Sequence, residues 1–182
     1  MTAIRAATAA DALAIAAVHV ASWDETYHGL LSEAVIAENT EERRRALWER
    51  VLREATREVF VAVSDDGDVV GFISGGAMPA VIRGRAPIVG YDAYVDALYV
   101  LAAAHGRGLG RVLLGTLALR LRERGFRALG LHVVAANPAV RFYEHLGARF
   151  IHAEALAAHA GDGGQSAYGW SDLRNVPTGT LQ

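Results

Sequence analysis

The chain has no cysteine and no lysine, only four prolines and two methionines, and no apolar run approaching the roughly 18 residues that a membrane helix needs. Each absence excludes something. Without cysteine there is no disulfide, no thiolate nucleophile and no thiolate metal ligand. With no long apolar run, and with a first stretch (Met1 to Asp11) too poor in apolar residues for a signal peptide, the expectation is a cytoplasmic protein with no membrane partner. Neither sign of charge is in excess. The 18 basic residues, all arginine, stand against 20 acidic ones for a formal charge of −2, which argues against the basic face of a nucleic-acid binder. The exclusive use of arginine fits a GC-rich coding sequence and needs no functional reason. What is abundant is apolar residues, 52% of 182, enough for one sizeable core. We expect one domain over residues 1–176 and a frayed tail over 177–182.

The stretch from Val95 to Leu117 organises the rest. An apolar, β-branched and aromatic run ends at Val100, a glycine-rich turn covers His105 to Gly110, and Leu109, Leu113, Leu117 and Leu121 then recur every four residues. This is strand, turn, helix. Such a turn presents unpaired backbone N–H groups at a helix N-terminus, where phosphate oxygens are welcome. A dinucleotide fingerprint would need a third glycine where Arg111 stands and a carboxylate closing the next strand, and neither is present. A Walker loop would need lysine where Thr116 stands. Both readings fail on a named residue.

Before this stretch, Ala3 to Ala6 reads as a first strand and Thr8 with Asp11 as a helix cap. The helix that follows carries Leu13, Ala16, Val20, Trp23 and Tyr27 on one stripe. Trp23 and Tyr27, with Asp24, Glu25 and His28 around them, read either as core or as the wall of an acceptor pocket. Thr40 caps a second helix with Leu47, Trp48, Val51 and Leu52 inward and arginines 43–45, 50 and 53 on a solvated face. Val59 to Ser64 and Val69 to Ile73 flank the polar turn Asp65-Asp66-Gly67-Asp68 as a hairpin, and Gly75-Gly76 closes its second strand. Residues 77–90 are a long connection, and Tyr91 to Val100 is the central strand. Period-two alternation puts Tyr94, Asp96, Leu98 and Val100 on one face of it. After the glycine-rich helix, Ala128 to Val134 is an apolar strand. Asn137-Pro138 caps a short helix ending at Gly147. Arg149 to Ala153 and Ser166 to Leu173 are two last strands, joined by a loose Ala157 to Gln165 segment. Phe142 and Leu146 lie one turn apart and read as core. Tyr143 cannot share their face.

His105-x-x-Gly108-x-Gly110 resembles the acetyl-CoA signature of the GCN5-related N-acetyltransferases, Gln/Arg-x-x-Gly-x-Gly/Ala, with His105 in the first position. Ala136 to Ala148 is similar to that family's later block, an Asn-x-x-Ala-x-x-x-Tyr-like helix ending in Leu-Gly. Ser22 to Leu30 is similar to an N-terminal segment found in one group of the family. The resemblance implies an α/β domain with a mixed, twisted, mostly antiparallel sheet, splayed between its fourth and fifth strands and flanked by helices. It implies an N-acetyltransferase that moves an acetyl group from acetyl-CoA to a primary amine, with no metal and no covalent enzyme intermediate, as a monomer or homodimer. The alternative is a catalytically silent CoA-binding module on the same fold.

The same resemblance assigns residues. Cofactor contacts fall on backbone groups of Leu98, Tyr99 and Val100, on His105, Gly106, Arg107, Gly108, Leu109, Gly110 and Arg111, and on Asn137, whose amide would hold the pantetheine arm. Tyr143 presents its hydroxyl to the CoA sulfur. Asp96 and Glu25 compete for the role of general base. Trp23, Tyr27, His28, Tyr94 and Asp96 line the acceptor side. Asp24, Glu25, Asp92 and Asp96 together suggest a cationic amine. A base is needed because an ammonium of pKa about 10.4 is almost wholly protonated at pH 7.

Overall fold

The structure, a computed structural model, describes residues 2–29, 32, 36–82, 86–155 and 164–179. Seven strands form one sheet in the order β1-β2-β3-β4-β5-β7-β6. They are β1 (Ala3–Ala6), β2 (Glu58–Val63), β3 (Val69–Ala77), β4 (Ala93–Val100), β5 (Leu129–Val134), β6 (Arg149–Ala155) and β7 (Gly164–Trp170). Every neighbouring pair is antiparallel except β4 with β5. Among the described residues, four α-helices flank the sheet: α1 (Ala12–Tyr27), α2 (Glu41–Glu54), α3 (Leu109–Glu123) and α4 (Ala139–His145).

The faces follow from the apolar periodicity. The leucines of α3 at 109, 113, 117 and 121 are all buried, against Ala62 and Ile73 of the first strands and Leu129, Leu131 and Val133 of β5. On the opposite face α1 and α2 cover β2 and β3 through Ile15, Ala16, Val18, Trp48, Val59, Val61 and Phe72. A third, smaller cluster joins Ile82 and Ile88 to Tyr94 and Ala167. The 77–90 connection is thus anchored to the sheet at both ends, residues 83–85 lying outside the described residues.

β4 and β5 meet only at their beginnings. Ala93 pairs with Leu129 and Tyr94 with Gly130, and the ladder ends there. Asp92 fastens this short contact, its carboxylate accepting from the N–H groups of Arg127 and Ala128 at 2.8–3.1 Å. Beyond Tyr94 the strands part, and the split expected between the fourth and fifth strands is present.

Several expectations are corrected. Leu13 is 50% exposed, and the buried stripe of α1 is Ala12, Ile15, Ala16, His19 and Ser22. β3 runs through Gly75-Gly76 to Ala77 instead of closing there. Pairing of β3 with β4 slips between Ser74 and Gly75, so Asp96 is the extra residue of a bulge. A bulge reverses the alternation of all residues after it. Ala93 and Val95 before it, and Leu98 and Val100 after it, pack under α3. Tyr94 lies on the other face, so Tyr94 does not share a face with Leu98 and Val100. The first residues of the expected tail lie along α3, where a side chain on Gly115 would approach the Pro177 carbonyl oxygen to 2.8 Å. Positions 157–163 of the loose segment and 180–182 of the tail lie outside the described residues.

The N-terminal cap forms, with a one-turn 3-10 helix at Ala9–Asp11 leading into α1. Asp11 accepts from the Thr8 N–H at 2.7 Å and from Arg5 at 2.7 and 2.8 Å. These contacts, the Arg5 guanidinium foremost, hold the Asp11 carboxyl well below the usual carboxylate range. A depressed carboxyl contributes stability that is complete above the unfolded pKa of about 3.9 and is lost as pH falls below it. Asp11→Asn should cost about 1 kcal/mol at pH 7 and should weaken the acid-induced loss below about pH 4. Urea unfolding of both proteins at neutral and acid pH measures this. Parallel stability–pH curves would contradict it.

Candidate active site

The turn before α3 is an open backbone cradle. Gly106 and Gly108 have φ of 76° and 74°, in the left-handed region that disfavours side chains, and a Cβ at either would meet nothing within 4 Å. Gly108 caps α3 without any side-chain acceptor, so the first N–H groups of the helix face outward, with the positive end of its dipole. Arg107 and Arg111 flank it, both exposed. Gly110 has a different task. A Cβ there would sit 3.2 Å from the Phe142 ring, so this glycine lets α4 approach the start of α3. The His105 ring lies 2.8 Å from the Val100 carbonyl oxygen, tying the turn back to the end of β4.

α4 is fixed on the other side of the split. Asn137 accepts from the Ala139 N–H at 2.8 Å, and Pro138 already has helical dihedrals, so the expected cap is in place. The other end is held by the Trp170 indole donating to the Leu146 carbonyl at 2.9 Å and by Tyr168 donating to Glu144 at 3.1 Å. This orients Tyr143 inward, 7% exposed, while the Asn137 amide donates to the Tyr27 hydroxyl at 3.3 Å. Burial first, then the neighbouring Tyr27 and Tyr94, push the Tyr143 hydroxyl well above an ordinary phenol. Tyr143 belongs to the cluster under α3 and Tyr94 to the opposite face. The two phenols therefore come from opposite faces of the sheet.

The expected bases and acidic wall are placed as follows. Asp96 is engaged by Arg57 at 3.0 and 3.1 Å, over the end of β3, where Arg57 also donates to the Ala77 carbonyl. Glu25 is exposed and accepts from the Ala102 N–H at 3.1 Å. With Asp92 spent on backbone amides, three of the four carboxylates that suggested a cationic acceptor are taken by intramolecular donors, and that suggestion loses its support. Trp23 lies 5.0 Å from the Tyr27 ring and under the Arg44 guanidinium, 5.9 Å away. Arg44, expected in solvent, therefore joins α2 to α1. His28 ends α1 with its side chain exposed, the Tyr99 ring stacks on His19, and Leu30 of the N-terminal segment lies outside the described residues.

Sequence reasoning missed a polar group beside Tyr94. The Tyr94 hydroxyl lies 3.1 Å from His132 Nδ1 on β5. His132, His152 and Glu154 each offer a ligand or proton-accepting atom, all within 4.8 Å of one another. The available signal was a lone imidazole in the otherwise apolar Leu129–Val134 strand.

A family model described as Acetyltransferase (GNAT) family matches residues 21–148, from the second half of α1 to the residue before β6. The chain is 32% identical over 144 residues to the uncharacterized N-acetyltransferase YuaI of Bacillus subtilis (strain 168), covering 79% of this chain and 78% of that one. Among solved structures, YncA of Salmonella typhimurium with its cofactor acetyl-CoA superposes with a TM-score of 0.71 at 23% identity, over 95% of this chain and 94% of that one. The PaiA N-acetyltransferase of Thermoplasma acidophilum, in complex with coenzyme A, gives 0.69 at 19% identity, over 93% and 99%.

A buried phenol with a raised pKa keeps its proton in the folded state after the unfolded one, at about 10, has lost it. Its contribution to stability is full below about pH 10 and is lost as pH rises above that value. Tyr143→Phe should therefore unfold less steeply with pH above about 10 than the parent. Urea unfolding across the alkaline range measures it, and identical pH slopes would contradict a buried, neutral Tyr143.

Proposed function

The chain belongs to the acetyltransferase (GNAT) family, and from that premise we propose that it transfers the acetyl group of acetyl-CoA to a primary amine by direct attack. The observation that carries this reading is the split between β4 and β5, with an open glycine cradle at one end and a buried phenol in its wall.

The residues fit the cofactor. Positive-φ glycines without neighbours leave room for phosphate oxygens at the outward N–H groups of Leu109, Gly110 and Arg111, and two arginines add charge. Asn137, at the start of α4, donates its side-chain amide to the Tyr27 hydroxyl and would hold the pantetheine arm. When bound, acetyl-CoA supplies an activated acetyl thioester. The chain supplies placement and proton handling. Tyr143 remains neutral at any physiological pH and so remains a donor, aimed where charge grows on a departing sulfur. A phenol of ordinary pKa about 10 is already a weaker acid than a thiol of about 8.5, and burial widens that gap. Tyr143 thus acts by hydrogen-bonding the developing thiolate. In this reading the amine itself is the nucleophile, and the chain has no cysteine to form an acetyl-thioester intermediate. Release of CoA thiol from acetyl-CoA across a panel of amines tests the reading. Thermal stabilisation by CoA without release on a wide panel would reduce the protein to a binding module.

Two variants test the parts. Gly108→Val should weaken acetyl-CoA binding at least tenfold, about 1.4 kcal/mol. Gly125→Val, with the same backbone strain at the other end of α3, should lose stability without losing affinity. Equal affinities in the two variants would take the phosphates away from this turn. Tyr143→Phe should lower the single-turnover rate roughly a hundredfold with little change in the Michaelis constant for acetyl-CoA. A parental single-turnover rate would leave Tyr143 as packing only.

A further inference from the structure

We propose that Tyr94, His132, His152 and Glu154 form the path by which the attacking amine loses its proton, with Tyr94 touching the amine and His132 acting through it. This rests on the acetyltransferase reading above. Neither base suggested by the sequence serves well, since Asp96 is engaged by Arg57 and Glu25 is exposed with a backbone amide as its partner.

Geometry selects the alternative. Tyr94 sits on the last paired rung of β4 with β5, opposite Gly130. His132 is two residues further along β5, where the strands have parted, on the same face and 3.1 Å from the Tyr94 hydroxyl. Across the sheet His132 is in register with Ala167 of β7, and Ala167 with His152 of β6. Ala167, with only a methyl, stands between them in register, and the two imidazole rings approach to 6.1 Å between centroids. His152 Nε2 then lies 2.9 Å from Glu154 Oε1. The row runs from Tyr94, buried in the split, to side chains 40% and 27% exposed on the outermost strand. It begins at the chemistry and ends in water.

The proton balance is simple. The acceptor arrives as its ammonium, and one N–H proton passes to the Tyr94 oxygen while the Tyr94 proton passes to Nδ1 of neutral His132; the freed amine lone pair then forms the bond to the acetyl carbon. The C–S bond breaks with its electron pair on sulfur, under the Tyr143 hydroxyl, and the second N–H proton ends on that sulfur as CoA thiol. His132 is left as imidazolium, countered by the Glu154 carboxylate through His152, and returns the proton to solvent by way of His152. Among the described residues, Tyr94 from β4 contacts His132 and Glu154 from β6 contacts His152. Tyr91 stands on the segment before β4, and Tyr143 from α4 and Tyr27 from α1 lie beyond Tyr94. β7 brings Ala167 and Gln165, which do not titrate.

The test uses two acceptors of matched shape, n-butylamine, protonated at pH 7, and O-propylhydroxylamine, which is not. His132→Gln should lose about a hundredfold in kcat/KM with n-butylamine and less than about tenfold with O-propylhydroxylamine. The parent's acidic limb in the imidazole range should disappear. Tyr94→Phe, which keeps the ring in the core, should show the same split between acceptors. Equal losses on both acceptors with an unchanged pH profile would overturn the path and leave His132 a structural partner of Tyr94. Activity abolished by EDTA and restored by zinc would also overturn it, because the three clustered side chains would then be ligands. A parent protein that releases no CoA with any amine would fail the acetyltransferase reading first, a result distinct from an active parent with unaltered variants.

Discussion

Two backbone rungs between β4 and β5 are the constraint on which the molecule depends. A continuous parallel ladder would close the sheet and leave no place for a thioester. No ladder at all would let the two halves of the sheet separate. The structure keeps the minimum and reinforces it from outside. Asp92 binds the amides that start β5, and α3 spans the halves from above, its buried leucines touching strands on both sides. Gly75 makes that spanning possible, since a Cβ there would stand 2.7 Å from Leu117. The bulge at Asp96 lies just past the last rung, where added twist turns β4 away from its neighbour.

Most of the fold was legible because it rests on local rules. The strands are apolar and β-branched runs, Asp65 to Asp68 closes a hairpin, and Asn137-Pro138 and Gly147 bracket α4, so these elements lie where composition and capping place them. What was not legible depends on register. A slip of one residue at Ser74 and Gly75 cannot be read from β4 alone, yet it moves Leu98 and Val100 to the face opposite Tyr94. Leu13 misled for another reason. In a helix as rich in alanine as α1, small apolar residues occur all round, and Leu13 by itself carries no information about which side is covered.

The site divides the same way. Its cradle is contiguous in sequence and was found there, because glycines before an apolar helix have few other uses. The histidine row was not found, because His132 and His152 sit on strands separated in the sheet by β7, the last strand in the chain. Only the order β5-β7-β6 brings them together. The carboxylates misled by being near one another in sequence while their partners were remote: Arg57 for Asp96, and the β5 amides for Asp92.

Charge placement explains why phenols and not carboxylates line the split. A carboxylate buried beside a thioester would need its own cation or several donors, since an ionised group loses far more hydration than a hydroxyl does. This chain keeps its carboxylates at the rim, each with a partner: Asp96 with Arg57, Glu25 with the Ala102 amide, Glu154 with His152. Tyr27, Tyr94 and Tyr143 are left inside, where a neutral hydroxyl can donate without carrying a charge into low dielectric. The arrangement also orders the chemistry in space. A donor that holds its proton firmly suits the departing sulfur, and burial gives Tyr143 that property. A hydroxyl already in contact with an imidazole suits the incoming nitrogen, and that contact belongs to Tyr94.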